Sequence, residues 1–243
     1  MKNNTMQNIL GHIRRADQDF DLIQDGDKVA VGLSGGKDSL TLVAALSKYK
    51  KFGIKNFDVV AITVDCTDGE TDFTKIAKFC NEHGVEHHVE PSQIFKVIFD
   101  IRKEKSPCSL CSKMRRGALN SAAVKLGCNK VALGHHGDDM VETFLLSLMY
   151  EGRLSTFKVK TYMDKSDVTT IRPLIYAKES EIISHTTQQG YPILNNCCIA
   201  NGFTQREYMK NLVKRLNSEI PNARERMQDA VIYLTSNDIK CKN

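Results

Sequence analysis

Two segments of this 243-residue chain pair glycines with charged and hydroxyl side chains at spacings that can do chemistry, and a third carries closely spaced thiols. In Ser34-Gly-Gly-Lys-Asp-Ser39, Gly35 and Gly36 let the backbone bend tightly and bring its N–H groups against an anion. Ser34 and Ser39 add hydroxyl donors, and Lys37 adds a positive charge. A helix expected from about Asp38 turns the positive end of its dipole to the same place. Together these groups favour a polyphosphate. Asp38 is out of place beside phosphates unless a Mg²⁺ lies between, and that role is assigned to it. The spacing is neither the Walker Gly-x-x-x-x-Gly-Lys-Ser/Thr nor the dinucleotide-binding Gly-x-Gly-x-x-Gly.

Gly134-His-His-Gly-Asp-Asp139 repeats the arrangement of a strand end opening into a helix. Taken alone, Asp138 and Asp139 are accounted for by capping of a helix N-terminus. Beside a phosphate loop, a carboxylate pair at a second strand end can face the nucleotide, hold Mg²⁺ or transfer protons. His135 and His136 are acid–base candidates, and Gly134 and His135 are also expected to shape the nucleotide pocket. Cys108-Ser-Leu-Cys111 precedes a basic helix expected from about Lys113. An isolated Cys-x-x-Cys reads as half a zinc site, a redox pair, or two ligands of an iron–sulfur cluster. None of the other cysteines forms a second pair at compatible zinc spacing, and a reducing compartment argues against disulfides. Cys80 and Cys128 suit small apolar positions, and Cys66 falls at a strand end near the nucleotide. Cys108, Cys111 and one of Cys197 and Cys198 would hold a cubane with one iron open to sulfide.

The elements that must position these residues follow from hydrophobic pattern. A helical N-terminal stretch runs to about Gly26, then strands are expected at 28–33, 57–64, 85–89 and 130–133, with helices at 71–82 and 138–150. The polar, basic stretch 152–170 reads as a loop, followed by a turn or strand at 171–174 and helices at 179–189, 204–217 and 222–234. Strands alternating with amphipathic helices predict an α/β fold with a doubly wound parallel sheet, whose ligands lie beyond the carboxyl ends of the strands. The division is an N-terminal helical segment 1–26, a nucleotide domain 27–175 and a helical C-terminal appendage 176–243. With 41% hydrophobic and 26% charged residues and no apolar run of bilayer length, the chain is expected in the cytoplasm, with no membrane partner. The net charge of +5 is mild, and clusters such as Lys113, Arg115 and Arg116 suit either phosphates or solvent.

The Ser-Gly-Gly-x-Asp-Ser pattern is similar to the signature of the PP-loop ATP pyrophosphatases, which split ATP between its α and β phosphates. With Pro107-Cys-Ser-Leu-Cys-Ser-Lys-Met-Arg-Arg-Gly117, Leu133-Gly-His-His-Gly-Asp-Asp139, Ile171-Arg-Pro-Leu174, Tyr191-Pro-Ile193 and Gln205-Arg206, nearly the whole chain resembles the tRNA 2-thiocytidine synthetases among the PP-loop tRNA thiolases. The resemblance implies ATP and Mg²⁺ dependence, an oxygen-labile 4Fe-4S cluster on three cysteines, and an anticodon-loop cytidine of tRNA as substrate. It further implies adenylation of the C2 oxygen and its replacement by sulfur, which a cysteine desulfurase or another donor supplies, and a homodimer. Lys37 and Asp38 would serve the phosphates and Mg²⁺, Asp139 would sit near the reacting centre, and Arg115 would steady the adenylate or the RNA. The sequence departs from the family in two places. Gly137 stands where the family has an arginine, and Asn195-Asn196-Cys197-Cys198 replaces a late Cys-x-x-Cys. Counting back from Gln205-Arg206 favours Cys198 as third cluster ligand, with Cys197 the alternative. The competing readings are a tRNA thiouridine synthetase, a persulfide route without metal, and a module that binds nucleotide or cluster without catalysis.

Overall fold

The computed structural model describes residues 5–104, 107–194 and 205–236. Helix α1 (Thr5–Phe20) leads into strand β1 (Lys28–Gly32), α2 (Lys37–Lys51), β2 (Asp58–Asp65), α3 (Thr74–Glu82) and β3 (Glu86–Pro91). A π-helical turn at Lys96–Ile101 precedes α4 (Pro107–Lys125), β4 (Lys130–Ala132) and α5 (Gly137–Glu151). Strands β5 (Lys160–Met163) and β6 (Val168–Ile171) follow, and then α6 (Glu179–Gln189), α7 (Gln205–Glu219) and α8 (Ala223–Ser236). Within the described residues the six strands form one sheet in the order β3-β2-β1-β4-β6-β5.

Val29, Ala30 and Val31 are fully buried, because helices cover both faces of the sheet and a parallel strand there needs an unbroken apolar run. Pairing is parallel throughout except at the β5 edge, which runs antiparallel to β6. The sheet is therefore mixed at one edge, and the stretch 152–170, expected to be a loop, contains β5 and all but the last residue of β6, the two strands of a hairpin. The pattern hides them for a physical reason. At four residues each they are short, and β5 is an edge strand that needs little apolar content, with Tyr162 57% exposed. A second correction concerns α4, which starts at Pro107 and not near Lys113, so Cys108 lies in its first turn and Cys111 at the start of its second. Proline is favoured at the first helical position, where its missing N–H costs nothing.

Ile9 and Ile13 of α1, Leu42 and Leu46 of α2 and Ile182 of α6 share one buried cluster on one face of the sheet. On α5, Val141 and Leu145 pack against Met209 and Val213 of α7, so the C-terminal helices lean on the helix that follows β4. From β1 the chain winds outward to β2 and β3, then returns to place β4 on the other side of β1. The loops leaving β1 and β4 thus flank the point where winding direction reverses, and there the sheet opens a crevice. No helix of the described residues is long and apolar enough to cross a membrane.

Candidate active site

Backbone pairing carries both strands one residue further, with Leu33 N–H on Ile62 O (2.8 Å) and Leu133 N–H on Ile171 O (3.0 Å). The following loops then meet backbone to backbone. A side chain on Gly134 would begin 3.0 Å from the carbonyl carbon of Asp38 and 3.1 Å from Ser39 N. Within the first loop, Ser39 Oγ donates to Gly36 O (2.9 Å) and lies 3.2 Å from Ser34 Oγ. Gly36 caps α2 without a side-chain hydrogen bond, so the first-turn N–H groups stay available to an anion.

Gly35 has φ +79°, a conformation that L side chains rarely adopt, and its added Cβ would fall 2.7 Å from Leu194 Cδ1. Leu194 also donates its N–H to Gly35 O at 3.0 Å, so the segment after α6 is strapped to the phosphate loop. Gly35→Ala is expected to destabilise the fold by about 1–2 kcal/mol from the left-handed backbone alone, with the Leu194 contact adding to it. Chemical unfolding of the two proteins checks this, and equal midpoints would contradict the strained turn.

Lys37 does not line the cavity. Its Nζ lies 3.0 Å from Asp38 Oδ2 and 3.2 Å from Glu179 Oε1, which also accepts from Lys210 Nζ at 2.7 Å. Burial works against its charge, but Asp38 and Glu179 outweigh it and hold the ammonium above its ordinary value. The lysine is thus charged and held beside the phosphate loop.

The second loop splits its two aspartates. Asp139 Oδ2 accepts the His136 N–H (3.0 Å), its Oδ1 lies 3.5 Å from Arg206 Nη1, and the residue lines the cavity. Asp138 instead accepts from Arg224 and from the Glu179 N–H, away from the cavity. Burial alone would raise the Asp138 pKa, yet His136 and Arg224 pull it well below the usual carboxylate range. Buried His136 lies 3.4 Å from Asp139, 3.6 Å from Asp38 and 3.6 Å from Asp138. Burial lowers its pKa, but the three carboxylates raise it above the ordinary value.

His135 goes the other way. Burial and the adjacent Arg172 guanidinium, whose Nε donates to His135 Nδ1 (3.3 Å), push it down to about 4. Its ring packs on Phe157, which also carries Arg172 at 4.7 Å from the ring centroid. In unfolded chain this imidazole protonates near 6.5 and in the fold only near 4, so between those values the unfolded state binds more protons. Its contribution to stability is expected to fall as pH drops through that window, by on the order of 3 kcal/mol at the acid end. Denaturant titrations of the parent and His135→Phe across pH 4–7 measure it. A stability difference that stays flat across that range would refute the assignment.

One cavity of about 540 Å³ gathers most of the residues singled out in the sequence. Ser34, Asp38 and Ser39 reach it from the first loop, and Gly134, His135 and Asp139 from the second. Cys108, Cys111 and Arg115 reach it from α4. Gly35, Gly36 and Lys37 lie in the loop but outside the cavity lining. Cys197 and Cys198 are outside the described residues. Cys66 is buried behind Cys111 among Ile94 and Ile98, where burial pushes its thiol up. Cys80, driven to about 12 by burial, and Cys128 are likewise core residues.

Four residues of the site were not given roles by sequence reasoning. Arg206 and Arg172 lie in stretches whose residue types stood out, Gln205-Arg206 and Ile171-Arg-Pro-Leu174, but nothing in the stretches said where the guanidinium points. Glu179 and Arg224 sit on helices as ordinary charges, without any local signal.

The PP-loop domain model matches residues 4–217. A tRNA-cytidine(32) 2-sulfurtransferase of Geobacter metallireducens is 41% identical over 214 residues, 86% of this chain and 82% of the relative. The chain belongs to the PP-loop family of tRNA-cytidine(32) 2-sulfurtransferases. A second family member, from Pelobacter propionicus, is 37% identical over 90% of this chain and 82% of its own. The fold is similar to that of the U34-tRNA thiolase NcsA from Methanococcus maripaludis with its [4Fe-4S] cluster. Its TM-score is 0.78 and its identity 23%, over 98% of this chain and 81% of that one.

Two thiol donors fit a thiolate-held cluster in this sulfurtransferase. Cys108, exposed, and Cys111, half-buried, are three residues apart at the N-terminal end of α4, and neither is in a disulfide. Both line the cavity of the phosphate loop.

Proposed function

We propose that this sulfurtransferase adenylates the C2 oxygen of an anticodon-loop cytidine of tRNA and replaces that oxygen with sulfur to give 2-thiocytidine. The observation that carries the reading is the sharing of one cavity by the phosphate loop, Asp139 and the Cys108/Cys111 pair. Activation and sulfur delivery must act on the same carbon in succession, which a common cavity allows.

In this reading the base C2 oxygen attacks the α-phosphorus of ATP and pyrophosphate leaves. Sulfide then adds to C2, and AMP departs with the former base oxygen. The first step is needed because an amide-like oxygen is a poor leaving group, whereas AMP is a good one. Loop N–H groups, Ser34 and Ser39 would hold the phosphates, and Lys37, held by Glu179 and adding a phosphate oxygen as a further acceptor, would offset charge developing on them. Arg115 and Arg206, at the cavity wall, suit the adenylate or the RNA backbone. His135, neutral above about pH 4, would contribute an uncharged pocket wall.

Asp38 supports a Mg²⁺ at the phosphates, because its Oδ1 is buried without a hydrogen-bond partner and so has a lone pair left for a cation. Asp38 and Asp139 would hold the ion, which would supply positive charge against the phosphates. Cys108, Cys111 and a third thiolate from Cys198, or Cys197, would hold a 4Fe-4S cluster that supplies an open iron for sulfide. A cysteine desulfurase or another donor would replenish the sulfur.

Nucleoside analysis of tRNA from a strain lacking this gene tests the proposal. Loss of 2-thiocytidine, restored by the cloned gene, is the expected result. Loss of a thiouridine in its place would overturn the cytidine assignment.

A further inference from the structure

The first turn of α5 contains a gap that another helix fills. A Cβ on Gly137 would lie 2.5 Å from Nη2 of Arg224 and 2.5 Å from Oε1 of Gln228, both on α8. Arg224 is only 6% exposed, and a buried guanidinium is costly unless it is paired and hydrogen-bonded. Asp138 supplies that pairing, taking Nε at 3.0 Å and Nη2 at 2.9 Å in the two-pronged geometry that guanidinium and carboxylate share. Gln228 closes the gap from the other side, donating Nε2 to Ile175 O at 2.7 Å.

The contacts continue toward the phosphate loop. Asp138 Oδ2 also accepts the Glu179 N–H at 2.8 Å, which fixes the first residue of α6. The Glu179 carboxylate in turn meets Lys37. A continuous path therefore runs from α8 through Asp138 and Glu179 to the one lysine of the loop. Asp138, fully engaged in it, is left no part at the cavity.

We propose that Arg224 is a positioning residue for ATP, acting through Asp138 and Glu179 to set Lys37, and that Gly137 is the slot that admits it. The arginine missing from Gly134–Asp139 is thereby matched by one delivered from the C-terminal helix. The inference rests on the loop being the ATP site and is independent of which base the enzyme thiolates.

A role confined to stability would lower the folded fraction, and with it kcat, without changing affinity for ATP. The test is therefore ATP affinity by calorimetry without RNA, together with KM for ATP and kcat with tRNA. These are measured on Arg224→Met, Gly137→Ala, the double variant and Arg224→Lys, each first shown by thermal melting to be folded at assay temperature. Arg224→Met is expected to weaken ATP binding and raise KM about tenfold, the worth of one charge-assisted contact, with any fall in kcat well short of that of Lys37→Met, because the lysine stays in place and keeps Asp38 as a partner. Gly137→Ala is expected to do the same by pushing the guanidinium off Asp138. The double variant should be no worse than the worse single, since residues acting through one contact are not additive. The proposal is overturned if kcat falls while ATP affinity holds, or if the two effects multiply. Should Arg224→Met fail to fold, Arg224→Lys, which keeps the charge and one hydrogen bond, decides by a KM raised about threefold or unchanged. A parent enzyme that binds ATP but leaves cytidine unthiolated would refute the proposed function while leaving these affinity comparisons standing.

Discussion

Thiolation by Cys111→Ser is expected to fall below detection while its ATP affinity stays that of the parent. Cys111 shares the cavity with Ser34, Asp38 and Asp139, yet it reaches it from α4, whereas the residues proposed to meet the phosphates lie on the loops after β1 and β4. A serine hydroxyl replaces the thiol at nearly the same size, so the half-buried position next to Cys66 and Ile98 should still pack. What is lost is the soft thiolate that iron–sulfur clusters require. Iron content and visible absorbance of anaerobically prepared protein give a readout apart from turnover, and both should drop. Cys108→Ser is expected to behave alike, and Cys66→Ser to leave the iron in place. A Cys111→Ser protein that keeps full iron and thiolates RNA would remove the pair from the proposed site.

Lys37→Met is expected to lower AMP formation in the presence of tRNA by roughly 10²–10³-fold, the usual consequence of deleting one preorganised group that meets charge developing in the transition state. The side chain is tethered between Asp38 and Glu179, and its ammonium is held above its ordinary pKa, so it arrives charged and placed at all working pH values. Methionine keeps the length and removes only the charge. The fold should be unaffected, because Glu179 retains its partner Lys210 at 2.7 Å. Pyrophosphate release under single-turnover conditions measures the step directly. A loss of less than about tenfold would show that the loop N–H groups and the metal carry the phosphates without the lysine.

Much of the fold was legible because the sheet obeys a simple rule. A strand buried on both faces is apolar where it is covered, and Val29–Val31, Val60–Ile62 and Val131-Ala132 all stood out for that reason. Helix α6 was expected over the residues it occupies, since Gly190 at φ +61° ends it where its polar and apolar periodicity stops. The β5–β6 hairpin was not legible, because an exposed edge strand of four residues imposes almost no constraint on composition. The start of α4 was misplaced for a related reason. Its N-terminal end faces the cavity and carries Cys108 and Cys111, so apolar periodicity begins only further along.

By itself the sequence determined which segments are candidates for chemistry, because phosphate, carboxylate and thiolate chemistry demand particular residue types at short, local spacings. Ser34–Ser39, Gly134–Asp139 and Cys108–Cys111 are each contiguous, and each stood out without any knowledge of the fold, although alone the second also read as a helix cap and the third as a zinc or redox pair. Only the tertiary structure decided which member of each set faces the cavity and which holds the frame. Asp138 and Asp139 are neighbours of the same type, but an arginine 86 residues away and the N-terminus of α6 claim the first and leave the second to the site. That choice rests on distances between elements remote in the chain, and pairing of a buried charge is a property of the packed molecule that local spacing cannot encode.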